Sequence, residues 1–130
     1  MEEQRLFYSN LGKLFYAIAA ADKTVAEAEI NTLKQIVNTE WLALDGAKDK
    51  TEVDAMRQIK ITFEQLNTQK ANAKNCMAEF KSFKESHAHL FTYNVKQLIW
   101  KTANAIASSF SRKNKSELVL IAELATILKQ

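Results

Sequence analysis

The chain reads as an all-α, single-domain protein. Three observations carry that expectation. There is no proline and there are only two glycines, Gly12 and Gly46, in 130 residues, so the turns that sheets depend on lack their usual residues. Strong helix formers dominate the composition. Apolar residues recur at spacings of three and four along most of the chain, the period of a helix with one buried face. These features predict a compact bundle of about six helices over residues 1–130. A chain this long buries roughly two-thirds of its unfolded surface, so it folds without a disulfide or a metal.

The first helix is expected over 4–22, with Phe7, Leu11, Leu14, Phe15 and Ile18 on one face. Ala17, Ala19, Ala20 and Ala21 let a neighbouring helix come close. At about 100° per residue, Asp22 falls in line with Leu11 and Ile18, on the inward side. A tight corner at Asp22-Lys23-Thr24 follows. The second helix starts near Val25 or Ala26 and runs to about Trp41, with Val25, Ile30, Leu33, Val37 and Trp41 as its stripe. Thr24-x-x-Glu27 has the form of a capping box. Glu29 and Glu40 project on the stripe side. Glu29 suits either a carboxylate that accepts backbone N–H groups in the first turn or an acid facing an ion.

Leu42–Asp54 reads as a loop with four acids, Asp45, Asp49, Glu52 and Asp54, but without the order of a calcium EF-hand. A third helix covers about 51–67, with Ala55, Met56, Ile59, Phe63 and Leu66 inward and Ile61 off that face. A fourth covers about 69–87, with Cys76, Phe80 and Phe83 buried, and Ala73 and His87 extending that side. Lys70, Lys74, Lys81 and Lys84 line up beside it as a basic stripe, either a lysine-covered solvent face or a phosphate-binding one. His87 and His89, two apart, lack the i, i+4 spacing of a helical metal pair and read as a helix end and its turn. The fifth helix, about 92–110, buries Val95, Leu98, Ile99, Thr102, Ala103, Ile106 and Phe110 and points Trp100 elsewhere. Ser111–Asn114 is a loop. Asn114-x-x-Glu117 caps the sixth helix, about 115–129, whose wide apolar face includes Leu120, Ile121, Leu124, Ile127 and Leu128.

An internal repeat ties the two ends together. At an offset of 88 residues, Ala17-Ile18-Ala19 falls on Ala105-Ile106-Ala107, Glu29 on Glu117, Ile30 on Leu118 and Leu33 on Ile121. Two related helical hairpins, a pseudo-twofold repeat, therefore bracket helices three and four. The copies differ at the corners, where Asp22 falls on Phe110 and Glu27 on Lys115.

The single Cys76 excludes an internal disulfide and fits a reducing compartment; on an apolar face without a nearby base it reads as inert packing. No apolar run approaches the about 20 residues of a membrane span, and the acidic start Met1-Glu2-Glu3 is unlike a secretion signal. A cytoplasmic protein is the expectation. The net charge of +3 divides into −3 over residues 1–65 and +6 over 66–130.

Ala19-Ala20-Ala21-Asp22-Lys23-Thr24-Val25-Ala26-Glu27-Ala28-Glu29 resembles the signature corner of TerB-like domains, the tellurite-resistance protein B family. That pattern is an Ala-rich helix, Asp, usually Gly, a residue or so, an aliphatic residue, often Ser, then Glu three positions on. The resemblance implies an all-helical domain with two related halves, in bacterial tellurite-resistance, stress or phage-defence systems, acting as a cytoplasmic interaction or metal-sensing module. Asp22 and Glu29 match the family's acids in the first half and Glu117 in the second. Lys23 stands for the usual Gly, Ala26 for the usual Ser, and Phe110 for the second Asp.

No base–nucleophile pair, Gly-rich phosphate loop or ligand cluster points to an enzyme. The expectation is a non-enzymatic domain that works through an unidentified protein partner. The alternative is one divalent-cation site at Asp22 and Glu29, helped by Asp45, Asp49 or Glu40. Nucleic-acid binding along the lysine stripe and the Arg112–Lys115 loop ranks third.

Overall fold

The computed structural model describes residues 2–21, 25–42, 50–109 and 115–129. All regular elements among them are helical. In chain order these are α1 (Glu2–Ala19), α2 (Glu27–Ile36) continued by a π-helical turn (Val37–Trp41), α3 (Lys50–Met56), α4 (Gln58–Gln69), α5 (Ala73–Ser86), a 3₁₀ turn (Ala88–Leu90), α6 (Tyr93–Ser108) and α7 (Lys115–Lys129). The α3–α4 boundary is shallow. Arg57 keeps right-handed helical angles, and the N–H of Arg57 donates to Val53 O while that of Ile61 donates to Arg57 O, both at 3.1 Å. Counted that way, 50–69 is one helix with a local irregularity, and the expected six helices are present.

The first helix lies at the centre of the bundle. Nearly all of it from Phe7 to Ala19 is buried, because α3, α4, α5, α6 and α7 all pack on it. Leu11, Leu14, Phe15, Ala17, Ile18 and Ala19 are wholly inaccessible, as are Ile59 of α4, Phe80 of α5, Ile99 and Ile106 of α6, and Leu124 of α7. Four aromatic rings close the end near the start of α1. Phe7 meets Phe91 edge-on at 5.3 Å and Phe83 at 6.5 Å, and Phe80 meets Phe91 at 5.9 Å. Edge-on pairs set the positive rim of one ring against the negative face of the other.

The spacing-based faces hold for most elements. On α6, Val95, Leu98, Ile99, Thr102, Ala103 and Ile106 are all buried, and Thr92 caps it by accepting the Val95 N–H. On α7, Leu120, Ile121, Leu124, Ile127 and Leu128 are buried, while Leu118 and Val119 stay exposed. Ile61 is exposed as its position off the α4 face implies.

The fourth predicted helix starts later than expected, at Ala73 rather than near 69. Its N-cap is Asn72, whose Oδ1 accepts the Asn75 N–H at 2.9 Å. The preceding turn is a Schellman motif. Lys70 is left-handed (φ 54°), its N–H donates to Asn67 O at 3.2 Å, and the Ala71 N–H reaches back to Leu66 O at 3.0 Å. That position favours glycine, because a Cβ crowds the backbone in the left-handed region. Lys70→Gly is therefore expected to stabilise the fold by about 0.5–1 kcal/mol, the relief of strain outweighing the entropy glycine loses on folding. Urea unfolding checks this; a destabilised variant would show that Lys70 contributes something else.

Candidate functional site

The α1–α2 corner brings together the end of α1 and the first turn of α2, where Glu29 lies. On its first side, α1 ends with the Ala20 N–H donating to Tyr16 O at 2.8 Å and the Ala21 N–H to Ile18 O at 3.4 Å. Asp22, Lys23 and Thr24 lie outside the described residues, so the inward direction expected of Asp22 and the capping oxygen expected of Thr24 do too. On the second side, Ala26 is the extended N-cap of α2. Alanine has no side-chain acceptor, so only half of a capping box can form. Glu29, the third helical residue, supplies it, accepting the Ala26 N–H at Oε1 with a distance of 2.8 Å. The Thr24-x-x-Glu27 box is corrected by two residues, since Ala26 still has extended angles and Glu27, the first residue of α2, is exposed.

Glu29 is only 3% exposed. A buried carboxylate is held by hydrogen bonds and by the positive end of the helix dipole, and its place in the first turn of α2 provides both. At the start of α7 a second glutamate shares this position and burial. Glu117 is the third residue of α7 and is also 3% exposed. Its expected cap, Asn114, lies outside the described residues, as do Phe110 and the Arg112–Lys115 loop up to Lys115.

The other acids of the expected cation site are not gathered at Glu29. Glu40 sits eleven residues further along the same helical run, about 16 Å away at 1.5 Å per residue. It pairs instead with Lys101 of α6, Nζ to Oε1 at 2.6 Å. Its outward position departs from the expected stripe side and has a specific cause. In an unbroken α-helix Glu40 would lie about 20° from buried Leu33, and Trp41 about 80° away. The π-helical turn, marked by the Leu42 N–H donating to Val37 O at 3.1 Å, inserts one extra residue. Trp41 rotates into the place Glu40 would have taken. Asp45 and Asp49 lie outside the described residues. Among the described residues, no group of three or more His, Cys, Asp or Glu is placed to hold a metal ion.

The lysine stripe does not survive as a surface. Lys70 belongs to the turn before α5, not to the helix. Lys84 is buried to 3% exposure. Burial lowers its ammonium pKa first, and the nearby Lys96 lowers it further. Only Lys74 and Lys81 remain as exposed members on α5, too few for a phosphate-tracking row.

Next to the α1–α2 corner, the end of α1 and the α4–α5 turn enclose an open groove of about 830 Å³. Ala20, Ala21, Ala71 and Ala73 line it, together with exposed Lys70 and Lys74. The Tyr16 hydroxyl closes one wall by donating to Ala71 O at 2.7 Å, and burial raises its pKa. No residue pattern signals the groove, because it depends on the left-handed Lys70 turn.

Cys76 is buried. Its thiol pKa is raised, by burial first and then by Glu79, against the opposing Lys13; Lys13 and Glu79 themselves pair at 3.0 Å. A raised thiol pKa leaves little thiolate at neutral pH. Cys76 in the native chain is therefore expected to react with an aromatic disulfide reagent only as fast as the chain opens, and at once in denaturant. Rapid labelling of the folded chain would show an accessible thiolate. The histidines form the end of α5 and its turn, as expected. His87 Nδ1 lies 3.1 Å from Phe83 O, so that nitrogen carries the proton, and its ring stacks on Phe83 at 4.2 Å. His89 Nε2 lies 3.2 Å from Glu3 Oε2 at the surface.

No protein-family model matches this chain, and neither does any curated protein or solved structure. No described helix is long and apolar enough to cross a membrane.

Proposed function

We propose that this chain is a non-enzymatic, cytoplasmic helical domain of the TerB-like type, built from two related hairpins, that works by binding another protein in bacterial stress or tellurite-resistance systems. The observation that carries this reading is the matched pair of corner glutamates. The helices after the two corners start 88 residues apart, at Glu27 and Lys115, and each buries the glutamate at its third position to 3% exposure. Core positions recur at the same offset. Leu11 and Ile99, Leu14 and Thr102, Ile18 and Ile106, and Leu33 and Ile121 are all buried. On this reading the conspicuous acid of the TerB-like corner serves the helix start, and contacts to a partner are made by the outer faces.

The test is affinity purification of the full chain from its native host at natural expression level. A protein partner recovered at a fixed ratio, together with tellurite sensitivity on deletion of the chain, is the expected result. Recovery of the chain alone, with unchanged survival of the deletion strain, overturns the proposal.

A further inference from the structure

Along the α4–α5 side of the groove, four oxygens already accept hydrogen bonds from within the chain. Asn67 O takes the Lys70 N–H at 3.2 Å, and Asn72 O takes the Cys76 N–H at 3.1 Å. Ala71 O takes the Tyr16 hydroxyl at 2.7 Å, and Asn72 Oδ1 takes the Asn75 N–H at 2.9 Å. The donors are in the opposite condition. With Oδ1 engaged, what the Asn72 amide has left is its NH2 group. Lys70 and Lys74 are exposed, and neither forms an ion pair with a described carboxylate; the pairs present use Lys13, Lys34, Arg57, His89 and Lys101. No acid is among the described residues that line the groove. A surplus of donors and positive charge over acceptors is what an anion with several oxygens satisfies.

Size sets what else the ligand carries. The groove's volume of about 830 Å³ lies within the roughly 300–1,000 Å³ of small-molecule sites, far more than a bare phosphate fills. Ala20, Ala21, Ala71 and Ala73 leave this space because their side chains end at Cβ, and Val25 extends the apolar lining. An uncharged, ring-sized body fits against them. Lys70 adds an independent reason. It is left-handed at φ 54°, where glycine would be at ease, and backbone strain of this kind persists at ligand-binding positions. A glycine there would relieve the strain and lose the ammonium.

We propose that this groove binds a small phosphomonoester, its phosphate held by Lys70, Lys74 and the Asn72 amide and its ring-sized body laid against the alanines. Lysine acts on phosphate as a point charge and makes no demand for planar, bidentate geometry, which favours a tetrahedral phosphate over a planar carboxylate. Two cations match the one phosphate of a small molecule, whereas a nucleic-acid strand needs a longer row. Asn67, also in the lining, offers an amide to the polar edge of the body. The site goes beyond the interaction-domain reading and stands whether or not a protein partner exists.

The experiment follows backbone amide shifts of the ¹⁵N-labelled full chain by NMR during titration with phenyl phosphate, adenosine 5′-monophosphate, inorganic phosphate and adenosine. Saturable shifts at Asn67, Ala71, Asn72 and Lys74 with at least one of the two phosphomonoesters are the expected result. Its affinity should exceed that of inorganic phosphate at least about fivefold, and adenosine should bind more weakly than its monophosphate. Lys70→Gly and Lys74→Gln should each weaken the phosphomonoester about two- to fivefold, the range for single exposed charges, and neither should lower the stability of the fold. That last readout separates lost binding from lost structure. Inorganic phosphate binding within fivefold of both esters leaves an adventitious ion only and overturns the proposal. It is also overturned by adenosine binding as tightly as its monophosphate, by shifts centred on Lys81 or Lys96 instead, or by full affinity in both variants. No shift with either ester at millimolar concentration overturns it as well.

Discussion

Trp41→Ala is expected to lower the unfolding free energy by about 3–5 kcal/mol, the range for removing a large buried aromatic side chain. Trp41 has no accessible surface. Its ring meets Tyr8 edge-on at 6.4 Å and Phe15 at 6.2 Å, so it fills the space between α1 and the end of the α2 run. Its indole Nε1–H donates to Thr102 Oγ1 at 3.1 Å, and the Thr102 hydroxyl donates in turn to Leu98 O at 2.7 Å. That chain satisfies a polar group that would otherwise be costly to bury. The substitution leaves a cavity that surrounding helices can only partly refill, and it removes the residue that the π-helical turn rotates inward. Urea unfolding followed by circular dichroism measures the loss. A loss below about 1 kcal/mol would place Trp41 at the surface rather than in the core.

Gly12→Ala is expected to destabilise by about 1–3 kcal/mol, although in an isolated helix the same change would stabilise by about 1 kcal/mol. The sign is decided by what the new Cβ meets. Ile59 O is backbone, and Thr62 Cβ is fixed to the α4 axis, so neither can swing aside as the tip of a long side chain would. The two helices must separate, which loosens the edge-on contact of Tyr16 with Phe63. It also strains the hydrogen bond between Ser9 and Thr62 hydroxyls, 2.9 Å long. Chemical unfolding with both variants on one instrument gives the comparison. A stabilised Gly12→Ala chain would mean that α1 and α4 sit further apart than described.

Most of the buried faces were legible because helical periodicity is a property of the chain alone. Leu11, Leu14, Ile18, Ile99, Ile106 and Leu124 fall on their faces by spacing, and all are buried. What was not legible depends on single backbone events or on neighbours distant in sequence. The π-helical turn has no local residue signal, so helical spacing puts Glu40 on the stripe side, whereas it pairs with Lys101. The left-handed residue before α5 is a lysine where the rule looks for glycine, and this moved the helix start and dissolved the lysine stripe. Lysine usually faces solvent, so spacing alone puts Lys84 on an outer stripe, whereas its burial follows from what packs around α5. Of the candidate site, Glu29 was legible in its structural form, as a carboxylate in the first turn of a helix, although its N–H partner is Ala26. Asp22, its expected companion, lies outside the described residues.

The most direct measurement is equilibrium unfolding of wild type, Glu29→Gln and Glu29→Ala, each with and without millimolar Mg, Ca, Mn or Zn. If Glu29 holds the start of α2, glutamine keeps an acceptor for the Ala26 N–H and stays close to wild type, while alanine loses about 1–3 kcal/mol. No ion should change that order. An ion at a hundred times its dissociation constant would add about 2.7 kcal/mol to a chain that binds it. A gain of that size in wild type, absent from Glu29→Gln, would contradict the structural role of this glutamate and make the corner an ion site.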